Sequence, residues 1–226
     1  MNTRRNFALA LLGGATAASL VKAQTPSSSL EIPIGTVAGH SIGRAIISPD
    51  GTVEVIAYYP FFSGLSLGST PLLASGSTER GAFFTLRTGK FTVRPITNGS
   101  VHYSQVIPVG AETLISRITY HPSPNLDFNR PESFSDGQTI LTLRGRGGSL
   151  VMVEGATITY NSTAEVVSTE DFSFQGRKLN LRDTRASAFT VTLAGPAPNL
   201  SELDRLESAI SVPVAGSFVA AGARLE

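Results

Sequence analysis

Apolar and polar residues alternate along most of the chain after residue 32. In the clearest segment, Phe189, Val191 and Leu193 alternate with Thr190 and Thr192. Successive side chains of a β-strand point to opposite faces, so this pattern predicts a strand with one buried and one exposed face. Similar segments lie at 42–47, 53–59, 91–94, 101–105, 114–120, 141–144, 157–160, 172–175 and 212–219. We therefore expect about a dozen short strands.

Turn-forming residues separate these segments at short intervals. The Ser-Pro-Asp-Gly sequence at 48–51 and the Asn-Gly pair at 98–99 each predict a hairpin, because proline presets φ and glycine accepts a positive φ. The Gly-Arg-Gly-Gly sequence at 145–148 predicts another turn. It lacks the Lys-Ser/Thr and helix that follow a phosphate-binding loop.

One-sided strands need a shared interior, and no helical segments lie between them. The pattern therefore predicts an all-β domain, a single antiparallel barrel or sandwich. One short C-terminal helix is expected across its surface, because Asn199 and Glu202 form a capping box. Leu200, Leu203 and Leu206 share one side of that helix.

The first 23 residues have the pattern of a cleavable signal peptide. Arg4 and Arg5 precede a mildly apolar stretch that begins at Phe7, and cleavage is expected between Ala23 and Gln24 after a small-x-small sequence. The Thr-Arg-Arg-Asn-Phe run matches the twin-arginine motif. Small and polar residues dilute the apolar stretch too much for a membrane span.

These signals divide the chain into a signal peptide at 1–23, a flexible leader at 24–31 and an all-β domain at 32–226. We expect a periplasmic or secreted bacterial protein. Without the signal peptide, the 18 basic residues fall to 15 against 17 acidic residues, for a net charge of about −2. The mature chain therefore has no strongly basic surface for nucleic acid, and we expect it to contain no membrane span.

Cysteine is absent from the chain. This absence excludes a thiol nucleophile, a cysteine-ligated metal and a lipid-modified cysteine anchor. No Gly-x-Ser-x-Gly sequence marks a serine nucleophile. We expect no cofactor.

The region from Thr119 to Gln138, with its Tyr-His-Pro-Ser-Pro-Asn and Asn-Arg-Pro-Glu-Ser-Phe runs, resembles a segment of uncharacterised exported bacterial β-proteins that have a twin-arginine-type signal peptide. The resemblance implies export and β structure. It implies no activity.

A long irregular segment at 121–136 is the candidate site, because strands with regular alternation are committed to packing and long loops often carry function. Its candidate ligand-binding residues are His121, Asp127, Asn129, Arg130 and Glu132. A structural interpretation is also open, since three prolines stiffen the loop and its Asp and Asn residues can cap turns. The glycine and glutamate of an EF-hand are not at their spacings.

The aromatic run at 58–62 is the second part of the candidate site. Tyr58, Tyr59, Phe61 and Phe62 come at the end of a predicted strand, where they would line a barrel mouth or fill the core. We expect the run to border the same surface as the 121–136 loop.

The three histidines form no metal-binding motif. His40, His102 and His121 are far apart in sequence, and a three-histidine site needs them to converge in space. His102 falls on the strand face opposite Val101 and Tyr103, so we expect it to point toward solvent.

Three functions fit the sequence. The first is a non-enzymatic β-protein that binds a small apolar or amphipathic ligand or an extracellular protein. The second is a small β-barrel enzyme, such as a hydrolase, cyclase or isomerase, that uses histidine and carboxylate residues of the 121–136 loop. The third is a structural or surface-interaction protein with a filled interior and an exposed apolar patch.

Overall fold

The computed structural model describes residues 30–66, 72–74, 76, 78–203 and 205–223 of the chain. The predicted twin-arginine motif, with Arg4, Arg5 and Phe7, lies outside the described residues. The predicted cleavage site between Ala23 and Gln24 also lies outside them.

Antiparallel strands make up most of the described chain. In order they are β1 (Val37–Ile47), β2 (Val53–Phe62), β3 (Phe84–Thr88), β4 (Phe91–Asn98), β5 (Val101–Pro108), β6 (Ile115–Tyr120), β7 (Gln138–Val153), β8 (Thr157–Thr169), β9 (Asp171–Phe174), β10 (Arg177–Asn180), β11 (Ala186–Pro196) and β12 (Ile210–Ala223). Short 3-10 turns lie at Glu79–Gly81, Pro131–Ser135 and Leu181–Thr184.

Eight of these strands close into an antiparallel barrel. Around the ring they follow the order β1, β2, β3, β6, β7, β8, β11 and β12, and β12 pairs with β1. The all-β prediction is confirmed, and the architecture is the barrel. Within this ring each of the eight strands pairs with a neighbour on both sides, which protects its edges.

The barrel wall divides along β7. The first half of this strand, to Arg144, pairs with β6, whereas Ser149 to Val153 pair with β5. Strand β5 pairs in turn with β4, which reaches β2 through Phe91 and Val53. The ring is therefore completed by β3 and β6 at one end and by the β4–β5 hairpin at the other.

The predicted turn at 145–148 is wrong. Strand β7 continues through these residues with a bulge between Gly145 and Gly147, and Gly147 has φ 156°. Because neither β6 nor β5 pairs along the whole of β7, the strand needs backbone freedom where its partner changes. The predicted hairpins at 48–51 and 98–99 are confirmed, with positive φ at Gly51 and Gly99.

One end of the barrel, which we name the plugged end, is filled by side chains. The β9–β10 hairpin packs over it, with the Phe174 ring centroid 5.1 Å from Phe84 and 5.9 Å from Tyr120. Leu30 and Ile32, from the chain before β1, are also buried in this core. The other end, which we name the cavity end, lies at the β1–β2, β4–β5 and β7–β8 turns.

The predicted alternation in β11 is confirmed. Phe189 and Leu193 are 2% and 3% exposed, Val191 is half-buried, and Thr190 and Thr192 are exposed. The Phe189 ring packs against that of Phe218 on the neighbouring strand, with 5.4 Å between centroids.

The predicted C-terminal helix is wrong as a regular element, because only a single helical turn forms at Leu200–Leu203. The Asn199 side chain does accept a hydrogen bond from the backbone N–H of Ser201 at 3.1 Å. A few capped residues cannot sustain a helix, because nucleation is costly without further turns. The described residues contain no helix that is long and apolar enough to cross a membrane.

Candidate functional site

A cavity of about 600 Å³ opens at the cavity end of the barrel. Alternation along the strands turns aliphatic side chains into it from five of them: Ile47, Val53, Val93, Leu150, Met152 and Ile158. These side chains leave space because no hairpin comparable to β9–β10 inserts at this end. We name this space the end cavity.

The connection between β11 and β12 lies over the end cavity. Its residues Pro198, Leu203 and Leu206 line the space from above, and both leucines are half-buried. Leu203 and Leu206, two of the apolar residues on which the helix prediction depended, thus cover the end cavity.

His102 lies at the polar side of the end cavity, so the expectation that it faces solvent is wrong. It is 7% exposed, whereas Val101 and Tyr103 are 41% and 49% exposed. Near its turn the β4–β5 hairpin carries Ile96, Val101 and Tyr103 on its outer face and Thr97, His102 and Ser104 inside. In this part of the hairpin, residue polarity therefore predicts the opposite of the observed orientation.

Both ring nitrogens of His102 have partners. Its Nδ1 lies 3.0 Å from Thr97 Oγ1, and its Nε2 lies 2.9 Å from Glu154 Oε1. A carboxylate only accepts hydrogen bonds, so Nε2 carries a proton. In the neutral ring Nδ1 then accepts from the Thr97 hydroxyl. Thr97, His102 and Glu154 thus form one hydrogen-bonded row beside the end cavity.

Ser104 lies two residues from His102 on the same inward face of β5. It is 3% exposed and lines the end cavity. Its hydroxyl makes no hydrogen bond with any residue that the structure describes. This hydroxyl borders the open space of the end cavity, because every fully buried side-chain oxygen or nitrogen of the described residues has a hydrogen-bond partner. A bound polar group can therefore reach it.

Two acidic side chains lie at the end cavity, and the positive charge of Lys90 acts on one of them, Asp50. Asp50 lines the end cavity at the β1–β2 turn. The pKa of Asp50 is lowered by the hydrogen bonds it accepts from the hydroxyl and the backbone N–H of Thr52. Glu154 is half-exposed at the β7–β8 turn. Among the described lining residues there is no Lys or Arg.

The 121–136 loop packs on the outside of the barrel. Leu126 and Phe134 are 1% and 0% exposed and contact Ile56 and Tyr58 on the outer face of β2. The Phe128 ring stacks on Phe134, with 5.2 Å between centroids. None of the residues lining the end cavity comes from this loop.

The polar candidates of the loop make local contacts. Asp127 Oδ1 accepts from the backbone N–H of Asn129 at 2.9 Å, and its other oxygen lies 3.9 Å from Arg130 Nε. Asn129, Arg130 and Glu132 are exposed. This geometry supports the structural interpretation, in which Asp127 caps a turn. Their role in ligand binding stays a prediction.

The aromatic run divides between the two faces of β2. Tyr58 points outward, with its ring centroid 6.2 Å from that of Phe128, so the run and the loop do meet. Tyr59 and Phe62 point inward at the plugged end, whereas Phe61 lies beside the ring of His40 at 5.8 Å. The end cavity has no lining residue from the run.

His121 fastens the loop to the barrel. Its Nε2 lies 2.9 Å from Thr85 Oγ1, and the Thr85 hydroxyl donates to the Phe134 carbonyl at 2.9 Å. Because this hydroxyl has one proton, His121 Nε2 must be the donor to Thr85. Burial lowers the pKa of His121 to about 4, against an opposing effect of Asp136. His121 is therefore neutral at pH 7 and holds both ends of the loop.

A second opening, of about 220 Å³, lies in the side of the barrel where the wall divides. Gly145 and Gly148 on β7 leave it open between Val106 and Leu114. Inside it stands Tyr160, stacked on Phe91 at 5.8 Å. Burial raises the pKa of Tyr160, and a hydrogen bond from Ser162 partly opposes the rise.

An exposed apolar patch covers the outer face of the β4–β5 hairpin. Ile96 is 67% exposed and lies opposite Tyr103, which is 49% exposed. Val101 extends the patch toward the turn. Contiguous exposed apolar residues of this kind are typical of interaction surfaces.

No group of three or more His, Asp or Glu side chains in the described part of the chain is placed to hold a metal ion. The functional argument consequently depends on the end cavity and its polar side. Comparisons of the chain with protein-family models, with curated proteins and with solved structures gave no significant match.

Proposed function

We propose that this protein is exported and binds a small apolar or amphipathic molecule in the end cavity, without being an enzyme. The observation that carries the proposal is the cavity itself. Small-molecule sites have volumes of roughly 300–1,000 Å³, mostly apolar walls and a few polar groups. The end cavity, at about 600 Å³, has this composition.

The contrast between the two barrel ends favours ligand binding over a purely structural role. A structural barrel gains stability from filling its interior, because each buried apolar side chain contributes about 1.5–3 kcal/mol. At the plugged end this has happened, with Phe84, Phe172 and Phe174 in contact. At the cavity end aliphatic walls remain around empty space.

The direct test is binding of a neutral fluorescent apolar probe, N-phenyl-1-naphthylamine. We expect saturable binding with one site per chain. Ile158→Trp places a large ring in the end cavity and should abolish binding. Thr159→Trp, on the outer face of the same strand, is the matched control and should bind normally. Thermal unfolding of both variants checks that they fold.

Absence of saturable binding would falsify the proposal. Equal binding by the Ile158→Trp and Thr159→Trp proteins would also contradict it, because the probe would then lie elsewhere.

The exported location has its own test. Replacing Arg4 and Arg5 by lysine should leave the precursor in the cytoplasm, since the twin-arginine route reads this pair. Normal export of the double variant would indicate the general secretory route.

A second candidate function, an enzyme, is favoured by the hydrogen-bonded row of Thr97, His102 and Glu154. A carboxylate that orients an imidazole next to a hydroxyl is the arrangement of nucleophilic acyl transfer. In such a reaction Thr97 Oγ1 would attack an ester carbonyl while His102 Nδ1 takes the hydroxyl proton and passes it to the leaving alcohol, which leaves the acyl group on Thr97. Water, whose proton His102 Nδ1 takes, would then attack the acyl group, release the acid and restore the Thr97 hydroxyl. Hydrolysis of a p-nitrophenyl ester that is lost in Thr97→Val would support this function.

A surface role is the third candidate. The exposed patch of Ile96, Val101 and Tyr103 supports an extracellular protein as a partner. The patch lies on the hairpin whose inner face lines the end cavity, so partner and ligand binding would share one element.

A further inference from the structure

We infer that the ligand of the end cavity is a neutral amphiphile whose polar group is a hydroxyl or a carbonyl, held by Ser104. This inference deepens the proposed function and rests on it. It excludes fatty acids and other anions as the preferred ligands.

The first support is the state of the Ser104 hydroxyl. The Ser104 side chain is 3% exposed, its hydroxyl borders the open space of the end cavity, and it has no hydrogen-bond partner among the described residues. Both nitrogens of the neighbouring His102 ring already have partners. Ser104 is thus a group with unused hydrogen-bonding capacity beside His102.

The second support is the direction of the hydrogen bonds. Ser104 can donate one proton and accept others, so it suits a carbonyl oxygen or a hydroxyl group equally well. Thr97 gives its proton to His102 Nδ1, which leaves its oxygen as an acceptor. A ligand hydroxyl that reaches both oxygens could accept from Ser104 and donate to Thr97.

The third support is the charge around the space. Asp50 and Glu154 are acidic, the described lining residues include no Lys or Arg, and the positive charge of Lys90 acts on Asp50. A carboxylate placed near Ser104 would lose water without gaining a cationic partner among the lining residues, which disfavours its binding. An ammonium group would be drawn to the acids at the rim, away from Ser104.

The apolar part of the ligand then has a defined place. Val93, Leu150 and Ile158 form the walls beside Ser104, and Leu203 and Leu206 cover the space. A short alkyl chain in contact with these side chains would extend the aliphatic core of the barrel into the cavity.

The experiment compares ligands of equal chain length. 1-Octanol, octanoate and octylammonium are added at pH 8 to compete with N-phenyl-1-naphthylamine bound to the wild-type protein. We expect octanol to bind at least ~10-fold more tightly than octanoate or octylammonium. Ser104→Ala should weaken octanol about 3- to 10-fold, as for the loss of one hydrogen bond, after the probe affinity of each variant has been measured by direct titration. Ser149→Ala, on the outer side of β7, is the matched control.

The outcomes separate this inference from the proposed function. Octanoate or octylammonium that competes as well as octanol overturns the inference, as does an unchanged octanol affinity in Ser104→Ala. In those cases probe binding still supports a ligand site. If the probe itself does not bind, both the inference and the proposed function fail.

Discussion

The two ends of the barrel share most of their strands but differ in the strands that complete the wall, β3 and β6 or the β4–β5 hairpin, and in what lies over them. The plugged end receives the β9–β10 hairpin, whose Phe172 and Phe174 rings pack among the barrel's own aromatic side chains. The cavity end is covered by the β11–β12 connection, from which Leu203 and Leu206 reach only its upper part. Aromatic side chains fill the plugged end, whereas the end cavity stays open at the other end.

The split wall explains how one barrel supports both ends. Strand β7 is long enough to pair with β6 near the plugged end and with β5 near the cavity end. The β4–β5 hairpin can therefore bring His102 and Ser104 to the cavity without disturbing the aromatic core. This arrangement separates the residues that stabilise the fold from the candidate site.

The largest effect is expected at Phe189, which belongs to the core of the plugged end. Phe189→Ala should lower the free energy of unfolding by about 3–5 kcal/mol, from lost burial and the cavity left behind. Urea denaturation measures this change. Thr190→Ala, on the outer face of the same strand, should cost well below ~1 kcal/mol. Similar losses at both positions would mean that β11 is not oriented as described.

The second effect depends on pH and tests the loop that packs outside the barrel. The folded chain holds the pKa of His121 at about 4, below its ordinary value of 6.5, because the ring is buried. Between pH 4 and pH 6.5 the unfolded chain binds more protons than the folded chain. The free energy of unfolding is therefore highest above pH 6.5 and falls as the pH decreases toward 4. The expected loss between pH 7.5 and pH 5 is about 2 kcal/mol.

Urea denaturation at the two pH values measures the loss, with His121→Gln as the comparison. Glutamine can still donate to Thr85 but does not titrate, so the variant should lose about 2 kcal/mol less than the wild-type protein over this interval. The same pH dependence in both proteins would show that His121 titrates normally in the folded chain.

A smaller effect is expected for a wall residue of the end cavity. Leu150 is half-buried and already borders open space, so Leu150→Ala should cost only about 1 kcal/mol, below the 2–5 kcal/mol of a fully packed leucine. The same denaturation experiment checks this value. A loss as large as that of Phe189→Ala would mean that the two ends are packed alike.

The smallest effect is expected at Ser104. Ser104→Ala removes a hydroxyl that borders the end cavity and has no partner among the described residues, so it should change the free energy of unfolding by less than about 0.5 kcal/mol. The matched Ser149→Ala variant should leave stability unchanged. A clear destabilisation by Ser104→Ala would indicate that the hydroxyl has a structural partner.

Much of the fold was predictable because strand alternation is a local property. The faces of Phe189 and Thr190 and the turns at 48–51 and 98–99 follow from residue order alone. The 145–148 segment was mispredicted because glycines that permit a bulge resemble glycines that form a turn. The helix from Asn199 was overestimated because a capping box marks a start and says nothing about length.

The candidate site was harder to predict. Thr97 and His102 are paired across the β4–β5 hairpin, and this pairing follows from the position of the Asn-Gly turn. Glu154 lies 52 residues after His102, in a different turn, and its contact with the ring does not follow from local sequence. Ser104 has no sequence signal, since it differs from an exposed serine only by its surroundings. The charged residues of the 121–136 loop made it a candidate site. The residues that attach the loop to the barrel are instead the buried Leu126 and Phe134.

The sequence by itself determined that the chain after residue 32 forms one-sided strands joined by tight turns, because side-chain direction in a strand depends on position parity alone. Only the tertiary structure decided that the strands close into a barrel, that β9–β10 fills one end, and that His102 and Ser104 face the other. Whether an end of the barrel is filled depends on which segment of the chain folds over it. That choice is made by contacts between residues far apart in the chain, and no local pattern encodes it.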